Sequence, residues 1–164
     1  MPNEIFKLTN LESLCMGYDN LEEIPKDIGK LINLKSLEIA SYDVKTFPKE
    51  MFDLVNLKKL NILCYGLEEL PDKISNLTKL EELTIWCWNL KNLPKEIGNL
   101  ANLKALYIGS ANLNKLPKDI GNLINLEKLK LLIHYLKNIP KEIGNFTKLK
   151  ELDINCISLK EIPK

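Results

Sequence analysis

Few side chains in this chain could do covalent or acid–base chemistry. Its 164 residues include four cysteines and one histidine. A thiol–imidazole nucleophile would need Cys15 beside His134. Tetrahedral zinc would need three or four converging ligands, and Cys64 and Cys87 have no third partner. A carboxylate pair for general acid–base work would have to come from residues such as Glu38 and Asp153. All 23 basic residues are lysine, so there is no planar guanidinium fork for phosphate or guanine. There is no glycine-rich phosphate loop. Whether any of these groups can meet depends on the elements that carry them.

Those elements repeat. The eight prolines are Pro2, Pro25, Pro48, Pro71, Pro94, Pro117, Pro140 and Pro163, and every gap is 23 residues. Leu14, Leu37, Leu60, Leu83, Leu106, Leu129 and Leu152 keep the same period, as do Leu8, Leu31, Leu54, Leu77, Leu100, Leu123 and Phe146. No insertion interrupts the register, so no linker or domain boundary is visible. One unit, Leu100 to Asn122, reads LANLKALYIGSANLNKLPKDIGN.

That unit resembles a leucine-rich repeat of the 23-residue class, with the L-x-x-L-x-L start and an LPxxIG segment. Similar units occur in bacterial and Ras-group repeat proteins. The resemblance covers residues 1–164 as one domain of about seven repeats. It implies a right-handed α/β solenoid with a concave parallel sheet and loops or short helical turns on the convex side. It also implies a protein-binding role rather than an enzymatic one.

The physics of the unit points the same way. Each unit offers apolar columns worth roughly 1.5–3 kcal/mol apiece on burial, against about 1–2 kcal/mol to order each of its residues. One unit cannot fold alone, but a stack can. The alternation in KALYIGS predicts a strand with one face buried. Strands are expected near residues 13–18, 36–41, 59–64, 82–87, 105–110, 128–133 and 151–156. The proline is expected at the first position of a helical turn. Gly29, Gly98, Gly121 and Gly144 are expected to supply a left-handed exit. Stacking separates Cys15 from His134 by five repeats, about 24 Å at strand spacing, and separates Glu38 from Asp153 equally. Neither pair can act together, so no catalytic site, metal or cofactor is expected. Cys64 and Cys87 share a column on adjacent rungs, where buried free thiols are expected in preference to a disulfide.

One column departs from the family pattern. Where asparagine or cysteine is usual, this chain has Asp19, Tyr42, Tyr65, Trp88, Ala111, His134 and Ile157. The preceding column is Tyr18, Ser41, Cys64, Cys87, Ser110, Ile133 and Cys156. Large rings would overpack a tight inward slot. The strand is therefore expected to run one residue further, with Leu83, Ile85 and Cys87 inward and Thr84, Trp86 and Trp88 outward. A second asparagine column, Asn10, Asn33, Asn56, Asn102 and Asn125, is read as turn chemistry with neighbouring backbone.

The outward faces set the functional expectation. Tyr42, Tyr65 and Trp88 fall on successive rungs, Trp86 beside Trp88, and Tyr107 one rung further. Leu63, Leu132 and His134 extend the patch. Aromatic anchors on a rigid face suit a protein partner. The competing account is that the rings only shield the sheet. Glycan stacking is the alternative function, and an architectural or self-associating segment a third. Flanking charges such as Glu12, Lys35, Lys58 and Glu81 alternate in sign and give a solvated rim. With a net charge of +1, nucleic-acid binding is not expected, and no apolar run is long enough for membrane insertion. Neither end shows a cap motif. A longer parent protein and end-to-end self-association both account for that.

Overall fold

A computed structural model describes residues 3–17 and 21–160. Tyr18, Asp19, Pro2 and Pro163, all assigned to columns above, lie outside the described residues. Seven strands form one parallel sheet in chain order: β1 (Ser13–Gly17), β2 (Ser36–Ser41), β3 (Lys59–Cys64), β4 (Glu82–Trp86), β5 (Ala105–Ser110), β6 (Lys128–Ile133) and β7 (Glu151–Asn155). Every register is a shift of one repeat, as in Leu37 opposite Leu60 and Leu60 opposite Leu83. Backbone pairing continues past β4, where the Cys87 amide donates to the Gly109 carbonyl at 2.9 Å.

The spine is the leucine columns. Leu37, Ile39, Leu60, Ile62, Leu83, Ile85 and Leu106 are sealed from water, together with Leu31, Leu54, Leu77 and Leu123 from the return path. This matches the one-faced alternation of each strand.

The opposite side carries five-residue 3-10 turns, Lys26–Lys30, Lys49–Asp53, Asp72–Asn76, Lys95–Asn99, Lys118–Asn122 and Lys141–Asn145, with a further one at Asn3–Lys7. Two details of the sequence reading are corrected here. Proline stands just before each of the six turns from Lys26 onward rather than in its first position. Pro25 has φ −61° and ψ 138°, an extended conformation, and its carbonyl accepts from the Ile28 amide at 3.0 Å. Its fixed φ suits that lead-in as well as it would suit the helix itself. Nor do the glycines adopt left-handed conformations; no described glycine has positive φ. Gly29, Gly98 and Gly121 are needed for close approach instead, whereas a Cβ on Gly144 would meet nothing within 4 Å. A Cβ on Gly29 would lie 2.8 Å from the Glu50 carbonyl oxygen of the next turn, and one on Gly98 or Gly121 would collide with Asp119 or Glu142 in the same way.

Candidate functional site

The inward column after each strand replaces the usual asparagine ladder. Ser41 and Ser110 are buried polar residues. Ser110 donates to the Leu90 carbonyl of the preceding repeat at 2.9 Å and accepts from the Asn112 and Leu113 amides at 3.1 Å each. Ser41 does the same with the Leu21 carbonyl and the Asp43 and Val44 amides. At the intervening rungs, Cys64 and Cys87 point inward as fully buried thiols, with sulfur 3.9 and 3.8 Å from the Ile39 and Ile62 carbonyls. Both are free. Burial pushes each thiol up to about 12, so neither is a nucleophile near neutrality.

With the small groups inside, the rings must face out. Tyr42 is 58% exposed, Tyr65 and Trp88 49% each, and Trp86 37%, while Cys64 and Cys87 show 0%. The orientation expected from the sequence is the one found. The rings form a continuous stack. Tyr42 and Tyr65 lie 4.8 Å apart at 28°, and Tyr65 and Trp88 6.4 Å apart at 23°. Trp88 then meets His134 edge-on at 5.2 Å and 81°. Those two residues are two rungs apart, and Ala111 on the rung between has no side chain large enough to separate them. Trp86 makes a similar crossing. Its six-membered ring lies over Gly109 on β5, so a Cβ there would sit 2.5 Å from the ring.

Gly109 on β5 and Ala111 just after it thus leave room that the Trp86 ring and the Trp88–His134 contact take up. A cavity of about 350 Å³ is lined by Leu63, Tyr65, Trp86, Trp88, Gly109, Ser110 and Leu132. Five of the eight residues expected to form the site line it. Tyr42 and His134 join through the ring stack. Tyr107 is half-buried nearby on β5 and Leu63 and Leu132 are half-buried walls. The candidate residues read from the sequence leave out Gly109 and Ser110, which also line the cavity, and Ala111, which lets Trp88 reach His134. The available signal was two small residues at outward positions of one rung, between tryptophans and leucine on its neighbours.

Charges around this face are compensated across rungs. Lys59 pairs with Glu82 at 2.9 Å, Lys128 with Glu151 at 3.2 Å and Lys130 with Asp153 at 2.8 Å. On the flank, Glu81 is held between Lys104 at 2.7 Å and Lys58 at 3.3 Å, and the Lys104 hydrogen bond is the main reason its carboxyl lies below the ordinary range. The second asparagine column reaches further than a local turn. Asn33, Asn56, Asn102 and Asn125 donate to carbonyls 24 residues back, in the preceding repeat, at 2.8–2.9 Å. Lys79 and Lys148 extend the chain of bonds to the Asn56 and Asn125 carbonyl oxygens.

A larger recess of about 630 Å³ lies among the loops around Phe47, Leu70 and Pro71. Its lining mixes Lys45 with Glu68, Glu69 and Asp72, and Glu68 is already paired with Lys91. Cys15 lies at the other end of the sheet from His134, with its sulfur 3.5 Å from Glu38. Among the described residues, no three potential metal ligands converge and no helix is long and apolar enough to cross a membrane.

A family model described as "Leucine-rich repeat region" matches residues 1–91 and 49–164. The chain belongs to the leucine-rich repeat family. This repeat fold commonly serves protein binding and is typically a non-enzymatic scaffold. Solved structures agree with the solenoid. The leucine-rich repeat domain of the type III effector XCV3220 (XopL) superposes with TM-score 0.76 at 25% identity, covering 99% of this chain and 59% of that one. The plant peptide hormone receptor RGFR1 in complex with RGF2 gives TM-score 0.68 at 27% identity, covering 99% and 30%. The ectodomain of the Arabidopsis thaliana membrane receptor kinase GASSHO1/SCHENGEN3, in complex with CASPARIAN STRIP INTEGRITY FACTOR 2, gives 0.74 at 25%, covering 94% and 22%. The repeats therefore span 59% of the effector domain and less than a third of either receptor chain. No curated protein sequence matches the chain.

Proposed function

We propose that the concave face binds a protein partner through Tyr42, Tyr65, Trp86, Trp88, Tyr107, Leu63, Leu132 and His134. The carrying observation is the stack of half-exposed rings beside an apolar cavity on a rigid parallel sheet. Rigid aromatic side chains bring large contact area at low cost in conformational entropy, as hot-spot residues do. Two structural neighbours are receptors solved with the ligands named in their descriptions, which supports a polypeptide ligand here.

The test compares the parent protein with Tyr65→Ala/Trp86→Ala/Trp88→Ala in affinity capture followed by mass spectrometry. All three side chains are outward, so circular dichroism should show an unchanged fold. Proteins captured by the parent and lost by the variant are expected. Equal capture by both refutes the assignment. A saccharide array run in parallel identifies glycan binding if the parent alone retains sugars.

A further inference from the structure

We infer that the apolar cavity lined by Trp86, Trp88 and Leu132 is a socket for a single uncharged apolar side chain, of leucine to phenylalanine size, projecting from the partner polypeptide. This rests on the protein-binding reading above and narrows it to one subsite.

Three observations select that occupant. The first is shape. Trp86, seated on Gly109, lines with Tyr65, Trp88, Leu63 and Leu132 a partly open apolar cavity of about 350 Å³. The second is the state of the only aliphatic hydroxyl in the lining. Ser110 is 2% exposed and fully engaged, donating to Leu90 and accepting from Asn112 and Leu113. A sugar ring would meet stacking faces, but no carboxylate or amide side chain in the lining to accept from its vicinal hydroxyls. The third is charge. Lys130, which shares β6 with Leu132, is neutralised by Asp153, and Lys59 and Glu82 on the β3 and β4 rungs neutralise each other. No carboxylate lines the cavity to hold an ammonium or guanidinium group against the rings. A neutral apolar group is the chemistry that this lining complements.

The site contains its own reporters, because Trp86 and Trp88 are the only two tryptophans in the chain. Their indole N–H signals and emission can be followed while the full chain is titrated with N-acetylphenylalanine methylamide. The matching alanine and lysine amides and methyl β-glucoside serve as comparison probes. Saturable shifts of both indoles with the phenylalanine probe, and not with the others, are expected at millimolar concentration or above, as suits so small a ligand. Gly109→Val should push the Trp86 ring off its seat, since even a Cβ there would lie 2.5 Å from it, and so weaken binding about tenfold. Leu132→Ser removes an apolar wall without adding bulk and should weaken it about threefold, so the test stands even if the valine variant misfolds.

Equal or stronger shifts with the glucoside would overturn both the socket and the protein-binding reading. Equal shifts with the lysine amide would replace the apolar socket by a cation site. No saturable shift with the phenylalanine probe would overturn the socket alone, leaving the wider face to the capture experiment.

Discussion

Replacing Ser110 by alanine tests the structural basis of the site most directly. The hydroxyl joins the Leu90 carbonyl, with the Trp88 carbonyl further off at 3.4 Å, to the Asn112 and Leu113 amides of the next repeat. Alanine fits the space, so the cost comes from the polar groups left without partners. Each net hydrogen bond is worth about 1 kcal/mol, and an orphaned buried group about 1–3 kcal/mol, which gives about 2–4 kcal/mol in total. The comparison variant is Cys87→Ala, which loses one weak sulfur contact at 3.8 Å and a small volume, about 1 kcal/mol. Urea unfolding followed by circular dichroism reads both. At an m-value of about 2 kcal/mol/M, Ser110→Ala should lower the midpoint by about 1–2 M and Cys87→Ala by about 0.5 M. Because repeat stacks can unfold piecewise, hydrogen exchange should also show faster loss of the Asn112 and Leu113 amides in the serine variant. If Ser110→Ala shifts the midpoint no more than Cys87→Ala, the serine–cysteine ladder is not what joins these turns.

Three further outcomes follow from the same geometry. Gly98→Ala should destabilise by about 1–3 kcal/mol through collision with Asp119, whereas Gly144→Ala, with nothing within 4 Å, should be neutral or stabilising by about 0.5 kcal/mol; thermal melts of the pair distinguish close approach from backbone conformation as the reason for the glycines. The Glu81 carboxyl is held below its ordinary value of 4.5, so its contribution is present above that pH and is lost as pH falls through the lower folded value. Glu81→Gln should therefore flatten this part of the acid limb of melting temperature against pH, and an unchanged limb would refute the pairing with Lys58 and Lys104. In the folded protein at pH 8, a disulfide reagent should label Cys15 first, with Cys64 and Cys87 reacting only as fast as the stack opens; rapid labelling of either buried thiol would contradict their placement.

Much of this architecture was legible in one dimension. An unbroken 23-residue period leaves a single way to stack the rungs, and all seven strands fall within a residue of their expected bounds. The inward turn of Cys64 and Cys87 and the outward turn of Tyr65 and Trp88 follow from side-chain volume against a tight slot, which is a property of each residue in its own unit. Contacts between units were the part left unread. The period tells which residues are neighbours across rungs but not how closely their atoms meet, and there Gly29, Gly98 and Gly121 meet a neighbouring carbonyl, not a turn of their own. The asparagines likewise reach back 24 residues to donate.

The sequence by itself determined the solenoid, its buried spine and the identity of the rings on its inner wall, because period and amphipathic alternation are local and repeated. The tertiary structure alone decided that Trp88 reaches His134 across Ala111 and that Trp86 lies over Gly109. Adjacent rungs sit only about 4.8 Å apart, so a side chain missing from one is occupied or bridged by its neighbours, and the shape of the face depends on which residues the stack brings together.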